Sequence, residues 1–154
     1  MRGGVRRSAG NFATIENYTR QRLPLAFLRR VLRGAIDGLH ATSAEIGVAL
    51  VGERRMARLL KAHPPRRSYP RTRVTNVLSF SYTRRRGAIT GDIILCVPVA
   101  EREARRFRRT RKAHLAVLLV HGMVHLAGYR HYEQREAHRM ELMERRILAT
   151  IDFT

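Results

Sequence analysis

The segment from His114 to Ala127 constrains the fold of this 154-residue chain more than any other part of the sequence. Its residues would be apolar on nearly every side of a helix, so such a helix needs neighbours all round. Gly128 follows and favours a helix end at that point. A chain of this length fits one domain and buries about 68–70% of its unfolded surface. The sequence therefore predicts a single domain over residues 1–154, built around a buried central helix.

Helical and alternating patterns divide the rest of the chain. Pro24 is placed to start an amphipathic helix that ends near Gly38. Further helices are predicted over 53–61, 99–109 and 132–151, and strands over 46–51, 74–82 and 88–97. The last strand is apolar on both faces, so we expect it to be covered on both sides. The order of strands and helices does not repeat as βαβ, which favours an α+β fold with a small mixed sheet.

The first 21 residues carry basic and polar side chains without clear periodicity. We expect a loose or edge segment, with a short strand around Phe12 and Ile15 as the alternative. The basic N-terminus lacks a following apolar core, so it does not resemble a secretory signal. The single cysteine, Cys96, has no partner for an internal disulfide, which is typical of a reducing, cytoplasmic setting.

The charge balance predicts a polyanionic partner. Lysine and arginine total 31 against 12 acidic residues, giving a formal net charge of +19, and Lys61 and Lys112 are the only lysines. An arginine-rich coding background would explain the choice of arginine but not the excess of charge. A phosphate-rich partner is favoured over an acidic membrane surface. The longest apolar run, Leu115 to Val120, is far below the ~20 residues that span a bilayer.

Three histidines have the spacing of metal ligands. His121 and His125 are four residues apart, so they share one face of the central helix. Gly128 lets the chain turn, and His131 can then return as a third ligand. Three neutral imidazoles leave one position for water, as in catalytic zinc sites, and the ion lowers the pKa of that water toward ~7. The alternative is two core histidines and a surface one, but burying two unpartnered rings costs several kcal/mol.

Two other histidines and one glycine refine this prediction. His114 lies seven residues before His121, a rise of about 10.5 Å, so we expect a packing or capping role for it. His138 is expected to face solvent. Gly122 stands where a metalloprotease carries its catalytic Glu, which weighs against a peptidase. A glycine there would also leave space beside the ion for a bulky substrate. With the net charge, the site favours phosphodiester hydrolysis.

The residues around the histidines resemble one known family. His121-Gly-Met-Val-His-Leu-Ala-Gly-Tyr-Arg-His131 is similar to the signature His-Gly-x-x-His-Leu-x-Gly-Tyr-Asp-His of the YbeY family of zinc-dependent endoribonucleases, or rRNA maturation factors. Thr75-Asn-Val-Leu-Ser-Phe80 and Gly91-Asp-Ile93 resemble two of its strand motifs, and Met140, Glu144, Ile147 and Leu148 match its trailing helix. The likeness runs in the same order through residues 45–150.

The resemblance implies an α+β fold, one Zn²⁺ held by His121, His125 and His131, and cleavage of single-stranded RNA. It further implies a role in small-subunit rRNA maturation, especially at the 3′ end, and in ribosome quality control. The implied partners are rRNA, the small ribosomal subunit, a small-subunit ribosomal protein and an assembly GTPase. No membrane contact or DNA specificity is expected.

Two positions depart from the family pattern, and one role is open. Arg130 and Asn76 each stand where the motifs have Asp. The family's Asn-x-x-Tyr-Arg stretch before the strand motif is not recognisable either, since a Pro-rich and Arg-rich loop over residues 63–73 stands in its place. The family's phosphate-gripping arginine comes from the segment before the strand motif. Arg71 is the first candidate for it, with Arg73 and Arg67 next, and solvated loop charges are the alternative.

The residues also leave two questions of mechanism and class open. The metal-bound water could attack phosphorus directly, or a metal-bound hydroxide could act as the base on the 2′-OH. An RNA-binding or ribosome-binding assembly factor with a structural metal is the second hypothesis, and the two missing acids favour it modestly.

Binding of single-stranded RNA should weaken steeply with salt, because arginine clusters at 66–73, 84–86 and 102–111 release counterions. If about six phosphates are contacted, the log–log slope of affinity against salt should lie near −4, at ~0.7 per contact. Titrations of a labelled strand across a salt series measure this slope. A slope near zero would show that the charge serves another purpose.

Overall fold

The computed structural model describes residues 3–4, 11–64, 74–83, 85–129 and 133–154. Strands and helices are mixed along the chain, as predicted. The strands are β1 Gly3–Gly4, β2 Asn11–Asn17, β3 Ser43–Val51, β4 Val77–Ser81 and β5 Ala88–Cys96. The helices are α1 Leu25–Gly38, α2 Glu53–Ala62, α3 Val97–Arg106, α4 Arg111–Leu126 and α5 Gln134–Ala149.

The strands form one five-stranded sheet in the order β1-β2-β3-β5-β4. β2, β3 and β5 run parallel, and the outer strands β1 and β4 pair antiparallel with their neighbours. The mixed sheet and the α+β class are therefore confirmed. β2, α1 and β3 form one βαβ unit, in which two adjacent parallel strands are joined through a helix.

The short strand considered around Phe12 and Ile15 is confirmed, whereas the loose or edge state expected for the N-terminal segment is wrong for these residues. Residues 11–17 form a seven-residue strand that lies inside the sheet, between β1 and β3. Only Ala13 and Ile15 of this strand are buried. Two core residues give a weak alternation in the sequence, and the strand is stabilised mainly by its pairing with β3 along its whole length.

The two faces of the sheet bury separate hydrophobic clusters. One face packs with α1 and α4 in the main core, to which β5 contributes Ile93 and Leu95. Ile94 and Cys96 point the other way, into a smaller cluster beneath α2 with Met56. The prediction that β5 is covered on both sides is confirmed. Burial raises the pKa of the Cys96 thiol, which keeps it protonated and unreactive at neutral pH.

Helix α4 is the buried central helix that the sequence predicted. It packs against α1, α3, α5, β4 and β5. Thr110 caps its start, with the hydroxyl accepting from the backbone N–H of Ala113 at 3.0 Å. Gly128, at φ +98°, turns the chain off its end. Within the described residues, no helix combines the length and apolar character needed to cross a membrane.

Gly91 should tolerate no side chain, because it lies where β4, β5 and α4 meet. A Cβ there would stand 2.3 Å from the carbonyl oxygen of Phe80 and 2.6 Å from Leu126. Gly91→Ala should lower the free energy of unfolding by about 1–3 kcal/mol, the usual penalty of overpacking.

Gly34→Ala is the matched control for this prediction. Its Cβ would meet only ordinary contacts, the nearest being Ile151 at 3.6 Å. Because Gly34 is inside α1, alanine should raise the unfolding free energy by about 0.5–1 kcal/mol. Urea denaturation of both variants gives the two signs, and equal effects would contradict the packing at Gly91.

Candidate metal centre

His121 and His125 face each other across one turn of α4. Their Nε2 atoms are 3.1 Å apart, and their rings stand almost perpendicular, with centroids separated by 4.6 Å. The side chain of His121 keeps 34% of its exposure, so the pair is set into the surface and is reachable from solvent. The helical spacing brings the two imidazoles together as predicted.

Glu144 of α5 orients the pair from behind. Its Oε1 atom accepts from Nδ1 of His121 at 2.6 Å, and its side chain is only 20% exposed. A carboxylate at Nδ1 places the proton of the neutral imidazole there, which leaves the lone pair on Nε2. Nε2 of His121 is thus prepared as a ligand on the side that faces His125, which is the arrangement found behind histidines that bind metals.

The donor set fits a metal ion. Two imidazole nitrogens that each lie 2.0–2.1 Å from a tetrahedral ion are about 3.3 Å apart, close to the 3.1 Å seen here. Within the described ranges no group of three or more His, Cys, Asp or Glu side chains is arranged so that it could hold a metal ion. His131, the predicted third ligand, lies outside those ranges, as do Arg67, Arg71, Arg73 and Arg130.

Gly122 has a different role from the expected one. It is buried against the sheet, and a Cβ would stand 2.9 Å from Ile93 and 3.2 Å from the hydroxyl of Ser79. The glycine therefore permits close packing of α4 on β4 and β5, and it does not open space beside the histidines. The prediction of open space beside the ion was wrong. Successive residues of a helix point about 100° apart, so position 122 does not face the same way as His121. The absence of a proton-transferring side chain still weighs against a peptidase.

His114 belongs to a separate polar network at the other end of α4. It is 3% exposed, and its Nε2 atom lies 2.8 Å from Oε2 of Glu103. The amide of Asn76 donates to both oxygens of the same carboxylate, at 3.0 and 3.1 Å. The packing role expected for His114 is confirmed, and His138 is exposed as expected.

A groove of about 680 Å³ lies away from the histidines, on the face of the sheet that α2 partly covers. It is lined by Glu16, Tyr18, Arg55 and Asp92 among others, and neither His121 nor His125 is among its described lining residues. The guanidinium of Arg55 lies 4.2 Å from the ring of Tyr18. The groove and the histidine pair are therefore on opposite sides of the sheet.

Comparison with known proteins decides the family. A sequence model described as Endoribonuclease YbeY matches residues 14–152. The chain belongs to this family. It is 44% identical over 135 residues to the endoribonuclease YbeY of Bordetella pertussis, with 83% of each chain covered. It is 38% identical over 153 residues to that of Nitrosospira multiformis, covering 91% of this chain and 78% of the relative.

A solved structure supports the fold of the YbeY family for this chain. The solution structure of a Thermotoga maritima protein superposes with a TM-score of 0.63 and 21% identity, covering 89% of this chain and 88% of that one. At this identity the likeness concerns the fold alone. Membership in the YbeY family places the chain among the RNA-cleaving hydrolases.

Sequence reasoning did not assign roles to Glu144 and Glu103. Glu144 matched the trailing helix of the YbeY family, and it is an acid between Met140 and Ile147 on the buried stripe of α5. A carboxylate next to an apolar stripe is a signal for a buried partner. Its partner could not be named, because 23 residues separate Glu144 from His121.

Glu144→Gln should weaken metal binding by about 10–100-fold, because a neutral amide supports the basicity of His121 less than a carboxylate does. Glu141→Gln is the matched control: Glu141 lies one turn earlier on α5 and pairs with Arg145 at the surface. Competition with a zinc indicator measures both affinities. Equal affinities in the two variants would contradict the orienting role of Glu144.

Proposed function

We propose that this chain is a zinc-dependent endoribonuclease that cleaves single-stranded RNA. Its proposed substrate is rRNA, with a role in maturation of the small-subunit 3′ end and in ribosome quality control. The proposed partners are the small ribosomal subunit, one of its proteins and an assembly GTPase, in the cytoplasm. Family membership supports the nuclease activity, and the histidine pair supports the metal.

One observation carries the proposal more than any other: the convergence of two Nε2 atoms at 3.1 Å, with a carboxylate behind one of them. The two Nε2 atoms point at the same place, and the site remains partly open to solvent. Converging imidazole nitrogens of this kind are typical of residues that bind a metal ion together.

The residues of the site have distinct proposed tasks. His121 and His125 would hold the ion with His131, and the ion would supply Lewis acidity and a hydroxide at neutral pH. Glu144 keeps the proton of His121 on Nδ1. Arg71 is the first candidate to hold the scissile phosphate, with Arg67 and Arg73 as alternatives, because a guanidinium stabilises the charge that develops on phosphorus oxygens.

The second candidate, an assembly factor with a structural metal, loses part of its support. Asn76 was one of the two missing acids that favoured it. The amide of Asn76 donates to Glu103, so an Asp at this position would put two carboxylates about 3 Å apart. Asn76 is therefore explained by its neighbour and does not indicate a lost catalytic group.

The purified protein should cleave a labelled single-stranded RNA, and a chelator should abolish the cleavage until zinc is returned. Loss of a residue that only supports a metal ligand typically costs about 10–100-fold in activity. His125→Ala should reduce the cleavage rate by more than this, because it removes a ligand itself. Denaturing gels measure the rate, and elemental analysis measures the metal content of the same samples.

His138→Ala is the control, since His138 is exposed on α5 and has no expected role in the site. It should retain the native rate and metal content. Chelator-resistant cleavage, or no metal in protein prepared without chelator, would contradict the proposal. RNA binding that needs the metal but produces no cleavage would favour the assembly factor.

A further inference from the structure

The connection between α3 and α4 exposes an aromatic ring among arginines. We call residues 105–109 the arginine corner; it contains Arg105, Arg106, Phe107, Arg108 and Arg109, all exposed. Phe107 keeps 53% of its surface in solvent. A single exposed apolar ring is common on protein surfaces, so its meaning here depends on the arginines around it.

The four arginines of the corner differ from their basic neighbours. Arg102 pairs with Glu53 at 2.5 Å, and Arg111 pairs with Glu101 at 3.2 Å and also donates to Gln21. No arginine of the corner forms an ion pair with any residue that the structure describes. One donor of Arg109 is directed at Nδ1 of His114, 3.4 Å away, and the other guanidinium donors of the corner are left for an external anion.

The ring of Phe107 contacts a buried histidine and has two arginine guanidinium groups over it. Its centroid lies 5.9 Å from that of His114, the buried histidine that Glu103 fixes. The guanidinium carbons of Arg106 and Arg109 lie 5.9 and 5.6 Å from the ring. An aromatic face between guanidinium groups matches a nucleotide, which offers a flat base beside a phosphate.

The backbone of the corner is a helix end that favours glycine. The N–H of Arg109 donates to the carbonyl of Ala104 at 2.8 Å, and that of Arg108 to Arg105 at 3.2 Å. Arg108 consequently has φ +54°, in the left-handed region. Glycine adopts this conformation more readily than arginine does. The fold of the corner thus gains nothing from a side chain at position 108.

We propose that the arginine corner is a second RNA site, which stacks one unpaired base on Phe107 and binds the flanking phosphates through its arginines. It lies apart from the metal centre, since His114 at the corner and His121 at the centre are separated by about 10.5 Å along α4. The site selects single strands, because the faces of bases in a duplex are stacked on one another. This inference and the proposed function both involve RNA. The arginine corner, however, takes no part in the cleavage chemistry.

The first test compares a short single-stranded RNA with a strand of equal length and charge that carries abasic positions. Both strands are 2′-O-methylated, and gels confirm that they stay intact. Phe107→Ala should weaken binding of the complete strand about tenfold, toward the lower end for one stacked base, and leave the abasic strand nearly unchanged. Phe12→Ala, which removes another exposed ring at 42%, is the control and should change neither.

The second test uses Arg108→Gly, because this change should raise the stability of the chain while it weakens RNA binding. If the corner is an RNA site, this variant should melt about 2–4 °C higher than the native chain, yet its salt slope should fall by about 0.7, one phosphate contact. Arg33→Gln, an exposed change of equal charge on α1, should leave the slope as it is.

Three results would overturn the inference. One is an equal loss of affinity for complete and abasic strands in Phe107→Ala, and another is an unchanged salt slope in Arg108→Gly. The third is vesicle binding: if Phe107→Ala loses only adsorption to vesicles of anionic lipid, the corner serves a membrane. These titrations require no cleavage, so a failure of the nuclease proposal would leave them interpretable.

Discussion

Burial of α4 is the constraint on which the rest of the structure depends. The helix is apolar nearly all round, and the sheet, α1, α3 and α5 together exclude water from it. Gly122 lets it approach β5 closely enough that a single added carbon would clash. Because α4 also carries His114 and His121, each polar ring requires a hydrogen-bonding partner at the edge of this core.

The neighbouring helices provide these partners. Glu103 of α3 meets His114, and Glu144 of α5 meets His121. The same packing that buries the apolar stripe of each helix thereby places one carboxylate against one imidazole. At His114 the carboxylate of Glu103 also binds Asn76, which closes the network. At His121 the carboxylate orients the ring, and the imidazole of His125 lies in front of it. Two histidines on one helix thus have different surroundings, one closed and one partly open to solvent.

The distribution of charge follows from the scarcity of acids. Only 12 acidic residues accompany 31 basic ones. Several of the acids bind histidines or single arginines, such as Glu53 with Arg102 and Glu101 with Arg111. Among the described residues, the arginines other than Arg102, Arg111 and Arg145 form no ion pair with a carboxylate, and the arginine corner is a dense example. The excess of positive charge is therefore concentrated on particular surfaces of the protein.

The sequence by itself determined the helical stripes, the two-faced strand β5 and the pairing of His121 with His125. All three depend on short-range geometry, because the period of a helix or strand places neighbours a few residues apart. The sequence raised a short N-terminal strand but not its place inside the sheet, since its two buried residues give little periodicity and its stability comes from pairing with β3. Only the tertiary structure decided that Glu144 lies behind His121, that Asn76 meets Glu103 and that Gly122 faces the sheet. Those contacts join distant elements, and their geometry is the sum of many weak packing interactions that no local pattern encodes.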